Sequence, residues 1–207
     1  SINTQAGISI IKYSATGSTV TYSHGLGVTP SFIITKGTTH VSSWDTWETT
    51  YVNPPYLNDT GTGSTTGSHH GTPNSTTIGA SHVGTNGTGT YVTYAFAEVE
   101  GFSKFGTFTG NGTASTSNPI QDCGFEPAFV MIKNMSTAGT GWFMFDNKRS
   151  TTNPRERFTQ AHSNGTEGVG GLSTDYLYFE SNGFRSTSDS PSLNGSGDTI
   201  LFMAFAS

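Results

Sequence analysis

Two tandem antiparallel β-sandwich domains, jelly-roll-like and all-β, are what the sequence predicts, and three observations predict them. The chain repeats itself: Tyr94-Ala95-Phe96-Ala97 returns as Met203-Ala204-Phe205-Ala206, and Gly101-Phe102-Ser103 with Gly110 following echoes Gly7-Ile8-Ser9 with Gly17 following. Charged residues are only 11% while aromatics reach 12% and glycines number 27, a mixture that suits short strands joined by many turns rather than disorder. No segment carries a helical period with caps, so helix content is expected to be low. The 207 residues then divide into a connector at 1–6, a first repeat at 7–99 and a second at 100–207, each of about the smallest size that sustains its own core.

The elements follow in order. GISIIKY places Ile8 and Ile10 near one face, with Tyr13 beside them, and STVTYS alternates Val20 and Tyr22 against Thr and Ser, so both read as strands. Ala15-Thr16-Gly17-Ser18 supplies a turn between them, for which a hairpin is the simplest connection. SFIITK, behind Pro30, is a short apolar run and reads as a buried strand; its second copy is PAFVMIK, with Phe32 matching Phe129 and Lys36 matching Lys133. This pair is expected to be the central strand of each sandwich. A tryptophan follows in each half, Trp44 with Glu48 four residues on and Trp142 with Asp146 four residues on. Asn182-Gly183, between two β-like runs, is a hairpin signal. The first half has instead a polar tract, from about Asn58 to Gly89, read either as a functional loop or as a strand pair hidden by low hydrophobicity. YVTYAFA and TILFMAFA close the two copies.

Charge and cysteine usage narrow the function. A net charge of −5 with nine thinly spread basic residues gives no patch able to neutralise a phosphate backbone, so nucleic acid is not an expected partner. No apolar run approaches the roughly 20 residues that span a bilayer, so membrane insertion is not expected either. The lone Cys123 cannot form an internal disulfide and reads as a small core residue.

Taken together, YAFAEVEGFSKFGTFTGNG, GFEPAFVMIK, the Trp-x-x-x-Asp-Asn-Lys-Arg run, SNGF and SGDTILFMAFA resemble a repeat domain of marine bacteriophage tail-fibre and virion structural proteins, of the cyanophage and pelagiphage type, often fused to laminin-G or concanavalin-like domains. The resemblance spans nearly all of residues 90–207 and, more weakly, 7–97. It implies a virion or extracellular location, other virion subunits as partners, a homo-oligomer (trimer or polymer), and contact with a host surface glycan. It carries no catalytic residues. The short junction Glu98-Val99-Glu100 leaves little linker, which suits a shaft or shell component.

His69-His70 with His82 and Asp59 invite a metal reading, but a zinc site needs three or four converging ligands, and adjacent histidines on a strand point to opposite faces. No metal and no cofactor is therefore expected. Asp45, Glu48, Asp146 and Glu156 include acids a glycosidase could use, but no spacing brings two together, and turn acids meeting Lys36, Lys148 or Arg149 are the expected role. There is no nucleophile elbow, and Cys123 has no evident activating partner, so no enzymatic step is expected. Aromatic rings among polar residues stack on sugars, which singles out Trp47, Tyr51 and Tyr56 as surface candidates, Trp142 and Trp44 being assigned to the core. With His69 and His70 in the first half, and Lys148, Arg149 and Arg155 in the second, they form the expected contact set. The alternatives are a soluble carbohydrate-binding module, a capsid decoration or filament-forming protein, and a glycan depolymerase.

Overall fold

The apolar runs read from the sequence become strands of four antiparallel sheets, none of them closed, in a computed structural model that describes residues 1–64, 66–169 and 176–207. Two compact units divide the chain: unit 1 is Ser1–Asn58 with Gly63–Val99, and unit 2 is Asp59–Thr62 with Glu100–Ser207. Within the polar tract at 58–89, Thr65 lies outside the described residues. Among the described residues the two helices are single turns, and no helix is long and apolar enough to cross a membrane.

Unit 1 contains β1 (Ile2–Asn3), β2 (Ile8–Ala15), β3 (Val20–Ser23), β4 (Phe32–Gly37), β5 (Trp44–Glu48), β6 (Thr77–Ala80), α1 (Val83–Asn86) and β7 (Gly89–Phe96). Its five-stranded sheet runs β1-β2-β7-β4-β5, and β3 pairs with β6 in a second sheet. Unit 2 contains β8 (Ser103–Thr109), β9 (Gln121–Asp122), β10 (Pro127–Asn134), β11 (Trp142–Asp146), β12 (Arg157–Gln160), β13 (Gly168–Val169), β14 (Leu177–Glu180), β15 (Gly183–Ser186), α2 (Pro191–Asn194) and β16 (Thr199–Ala206). Its six-stranded sheet runs β13-β12-β11-β10-β16-β8, beside a three-stranded sheet β14-β15-β9.

The two strand orders coincide: β2-β7-β4-β5 in unit 1 matches β8-β16-β10-β11 in unit 2, and β3-β6 matches β9-β15. SFIITK and PAFVMIK are interior strands, as expected, each between its unit's closing strand and its tryptophan strand. The register agrees residue by residue. Lys36 lies opposite Trp44 as Lys133 lies opposite Trp142, and Phe32 lies opposite Glu48 as Phe129 lies opposite Asp146. The glycine match shifts by two: Gly17 donates its N–H to the Asn86 carbonyl, and the residue that does the same to Asn194 is Gly112, not Gly110.

Several local expectations are corrected. Residues 1–6 are more than a connector, since β1 pairs with the start of β2. β2 and β3 form no hairpin; β2 pairs with β1 and β7, while β3 crosses to pair with β6. The inward face of β2 carries Ser9, Tyr13 and Ala15, and Ile10 points outward, because a one-residue change of phase exchanges the two faces of a strand. The polar tract does hide a strand, β6.

Asn182-Gly183 sits at a hairpin, β14 with β15, but the turn residues are Ser181 and Asn182, with Glu180 paired to Gly183. Gly183 is required for another reason: a Cβ there would lie 2.0 Å from the Gln121 carbonyl oxygen, so a side chain would push β9 off the sheet. In unit 2 the apolar core joins both sheets, with Val130, Ile132, Phe143, Phe145, Ile200 and Phe202 meeting Leu177, Phe179 and Phe184, and Cys123 belongs to it.

If close approach of β9 is what excludes a side chain at Gly183, Gly183→Asn will cost as much as Gly183→Ala, roughly 1–3 kcal/mol in urea unfolding, the range for overpacking. A left-handed turn requirement would instead let Asn, which tolerates that conformation, recover most of the loss.

Candidate functional site

The inward face of unit 1 is interrupted by a polar row. On β4 the side chain two residues after Ile33 is Thr35, on the same face by the period of a strand. Its neighbours across the sheet are Thr93 on β7 and Asp45 on β5. Apolar clusters flank the row, with Ile33, Trp47, Ile78 and Ala95 on one side and Tyr13, Ala15, Ala80 and Tyr91 on the other.

The row is connected by hydrogen bonds. The Tyr22 hydroxyl lies 3.0 Å from Thr93 Oγ1, which lies 2.7 Å from Thr35 Oγ1, which lies 3.0 Å from His70 Nε2. His70 Nδ1 faces Asp45 Oδ1 at 3.8 Å. The other oxygen, Asp45 Oδ2, accepts from His69 Nδ1 at 2.9 Å. His69 stacks on His82 with ring centroids 3.6 Å apart and planes 7° from parallel.

Local structure holds this end of the row in place. His82 is the N-cap of α1 and its Nδ1 accepts the Gly84 N–H at 3.1 Å, while the Thr85 hydroxyl donates to the His69 carbonyl at 2.8 Å. Gly84 lets the carboxylate come close: a Cβ there would lie 2.6 Å from Asp45 Oδ2. His82 and Gly84 also line a cavity of about 460 Å³, with Tyr56 and His40, and with the exposed Val41 and Val83 beside them.

Burial sets the protonation states. His70, wholly buried, is pushed down to about 4 by desolvation, against the pull of Asp45 and helped by His69, so it is neutral at physiological pH. Desolvation also lowers His82, again helped by His69 and opposed by Asp45. Tyr13 stacks on Tyr22 at 4.1 Å and on Tyr91 at 5.2 Å. Burial raises Tyr22 to about 12, and Tyr13 rises further, through burial first and the neighbouring Tyr22 hydroxyl second.

Unit 2 provides an internal comparison. By the shared register, Ile132 stands where unit 1 has Thr35, Phe143 where it has Asp45, and Phe202 where it has Thr93. All three belong to the unit 2 core. Beside β15, unit 2 places β14 with Leu177 and Phe179; beside β6, unit 1 places His69 and His70, whose carbonyls accept from Ser81 and Gly79. The strand order therefore tolerates apolar residues at the positions of Thr35, Asp45 and Thr93.

The expected contact residues are distributed as follows. Trp47 is not on the surface but 5% exposed in the apolar cluster, and Trp44 is the exposed tryptophan at 36%, because the inward face of β5 is set by Trp47 opposite Ile33. Trp142 is buried as expected. His70 is fully buried, a member of the row rather than a surface group. Arg155 is also buried, donating from Nη1 to the Ser150 carbonyl at 2.6 Å, with its guanidinium 5.0 Å from the Phe179 ring. Tyr51 and Tyr56 are half-buried, and of the two it is Tyr56 that lines the cavity, its ring 6.3 Å from that of His69. Lys148 is exposed, and Arg149 pairs with Asp146.

Glu48 and Asp146, matched across the repeat, do the same local work. Glu48 accepts from the amides of Thr50 and Tyr51, and Asp146 from those of Lys148 and Arg149. Burial alone would raise Asp146, but these bonds together with the Arg149 guanidinium hold it below the usual carboxylate range. Asp59 does not join the histidines; it belongs to unit 2, where its charge opposes the lowering of Lys133. The carboxylate that meets His69 is Asp45. Aligning the two halves of the sequence on Trp44 and Trp142 exposes this partner, since the next residue is Asp in one copy and Phe in the other.

A protein family described as "Domain of unknown function (DUF7483)" matches residues 1–207. No curated protein and no solved structure matches the chain.

Thr35→Val keeps the shape of the side chain yet strands His70 Nε2 and leaves Thr93 Oγ1 with the Tyr22 hydroxyl alone, and is expected to destabilise by roughly 1–3 kcal/mol in urea unfolding. With Thr93→Val the two losses will fall short of additive by about 1 kcal/mol, since both remove the same bond. Alkaline titration tests the tyrosine cluster. Tyr13 and Tyr22 keep their protons in the folded state well above the ordinary value near 10, so the stability they contribute is complete below that pH and is lost as pH rises through the folded values, about 12 for Tyr22. Tyrosinate absorbance at about pH 11 will therefore fall short of the full set of tyrosines until the protein unfolds.

Proposed function

We propose that this chain, which belongs to the family described as Domain of unknown function (DUF7483), is a non-enzymatic structural component of a bacteriophage virion, a tail-fibre or other surface-exposed segment. In this reading its two units are tandem β-sandwiches of jelly-roll type. Unit 2 serves as scaffold, and unit 1 contacts a glycan of the host surface through its cavity. The chain works as a homo-oligomer among other virion subunits.

The observation that carries the reading is the division between the copies. One strand order is built twice, once with Ile132, Phe143 and Phe202 at the middle of its inward face and once with a polar row there that reaches a cavity of about 460 Å³. A cavity that combines the flat ring of Tyr56, the imidazoles of His40 and His82 and the hydroxyls of Ser42 and Ser43 has the mixture that sugar binding requires. Ring faces take the C–H surface, and fixed polar groups take the hydroxyls.

Two measurements on the 207-residue chain test this. Light scattering across a concentration series is expected to give a trimer or larger assembly, and a glycan array is expected to give binding that Tyr56→Ala weakens roughly tenfold, the effect of losing one aromatic anchor. A monomer that still binds glycan would favour a soluble carbohydrate-binding module. An oligomer that binds none would favour a decoration or filament protein. Shortening of the bound glycan during the assay would overturn the non-enzymatic part.

A further inference from the structure

We propose that Asp45, His69 and His82 form a binding site for a divalent transition-metal cation, zinc foremost, at the wall of the unit 1 cavity. One ligand atom from each of the three residues falls within 4.8 Å of the others, drawn from β5, the segment beside β6 and the start of α1. Two imidazole nitrogens with one carboxylate oxygen are a borderline donor set, which selects zinc, cobalt or nickel over the all-oxygen shells of magnesium and calcium.

Two features of these side chains point to a cation as their ligand. Asp45 is only 1% exposed, yet among the described residues its carboxylate accepts a single hydrogen bond, and the groups within ion-pair range are His69 and His70 rather than lysine or arginine. Buried carboxylates ordinarily meet a cation, several N–H donors or a metal. His70 supplies the second feature: its Nδ1 is wholly buried, faces the same carboxylate and has no hydrogen-bond partner among the described residues. Through Nε2 it is tied to Thr35, which fixes the ring behind Asp45.

The move from the present geometry to a metal-bound one is small. His69 Nδ1 lies 2.9 Å from Asp45 Oδ2, against roughly 3.3 Å between donors around a tetrahedral zinc with bonds near 2 Å. His69 changes tautomer as its Nδ1 lone pair turns to the metal, the proton passing to Nε2. His82 exchanges its bond from the Gly84 amide for the metal. Three protein ligands leave a fourth position, and because His82 and Gly84 line the cavity that position faces it. Unit 2 has Phe143 at the position of Asp45 and Ser190 at the helix-cap position of His82, so these sites offer no counterpart.

The inference does not rest on the virion or glycan reading, and its test reports on the metal directly. The full chain, stripped with a chelator, is titrated with zinc by calorimetry and with cobalt by visible absorption. One zinc per chain and a cobalt d–d spectrum with mixed nitrogen and oxygen ligation are expected. Asp45 and His69 lie deep enough that their variants could fail to fold, so the deciding variant is His82→Asn. Asparagine keeps the helix cap while removing the imidazole. Its metal-free thermal midpoint should match the parent, and its zinc affinity should fall by about tenfold or more. Asp45→Asn should abolish the cobalt spectrum in any folded fraction. No saturable zinc binding, or binding undiminished in His82→Asn, would overturn the proposal.

Discussion

Every sheet in this protein faces one requirement, that the inward side of the strand order be closed to water. The backbone groups are already paired along the ladders, so the side chains decide how closure is achieved. Unit 2 closes with Ile132, Phe143 and Phe202 against Leu177, Phe179 and Phe184. Each buried large side chain of this kind contributes about 1.5–3 kcal/mol. Unit 1 closes two flanks in the same way but fills the middle with Thr93, Thr35, His70 and Asp45, where each hydrogen bond contributes only about 1 kcal/mol net and each missing bond costs at least as much. The polar row is stable only while its members remain joined.

The parts shared by both units are those that set the backbone. A lysine at the end of each interior strand bonds to oxygens of the turn that follows, Lys36 to Ser42 and Lys133 to Thr140, and lies opposite a tryptophan. An acid at the end of each tryptophan strand caps the next turn. Each closing strand follows a single helical turn whose final Asn carbonyl accepts from a left-handed glycine, Gly17 or Gly112. These contacts fix strand order and connection geometry without using the inward face. That face is left to vary between the copies.

This division explains what was legible in the sequence. The repeat and the interior strands could be read because the framework residues are distinctive and recur: a lysine on the interior strand, then a tryptophan with an acid four residues on. The β2–β3 connection misled because a Gly-containing turn between two alternating runs looks the same whether the chain turns back in one sheet or crosses to the other. Trp47 misled because polar neighbours along a strand say little about which face is covered. The candidate site was half visible. The histidines of the polar tract drew attention, but Asp59 was placed beside them by proximity in sequence, whereas the actual partner, Asp45, comes from another strand through β pairing. Only the Asp45 to Phe143 contrast between the halves carried that information.

The same contrast bears on why the polar row exists. A single polar pair inside a sheet can be a relic that its surroundings happen to satisfy. Here four elements change together: β4, β5 and β7 each exchange an apolar residue for a polar one, and the strand that would match β14 gives way to an irregular segment carrying His69 and His70. The polar residues depend on one another, because His70 without Thr35, or Asp45 without His69, loses the one hydrogen bond its side chain makes among the described residues. The apolar solution is available to this strand order, since unit 2 uses it. A coupled set of replacements that lowers the driving force for folding and ends at a cavity wall is not required by the fold, and a ligand at that wall, as proposed above, would account for it.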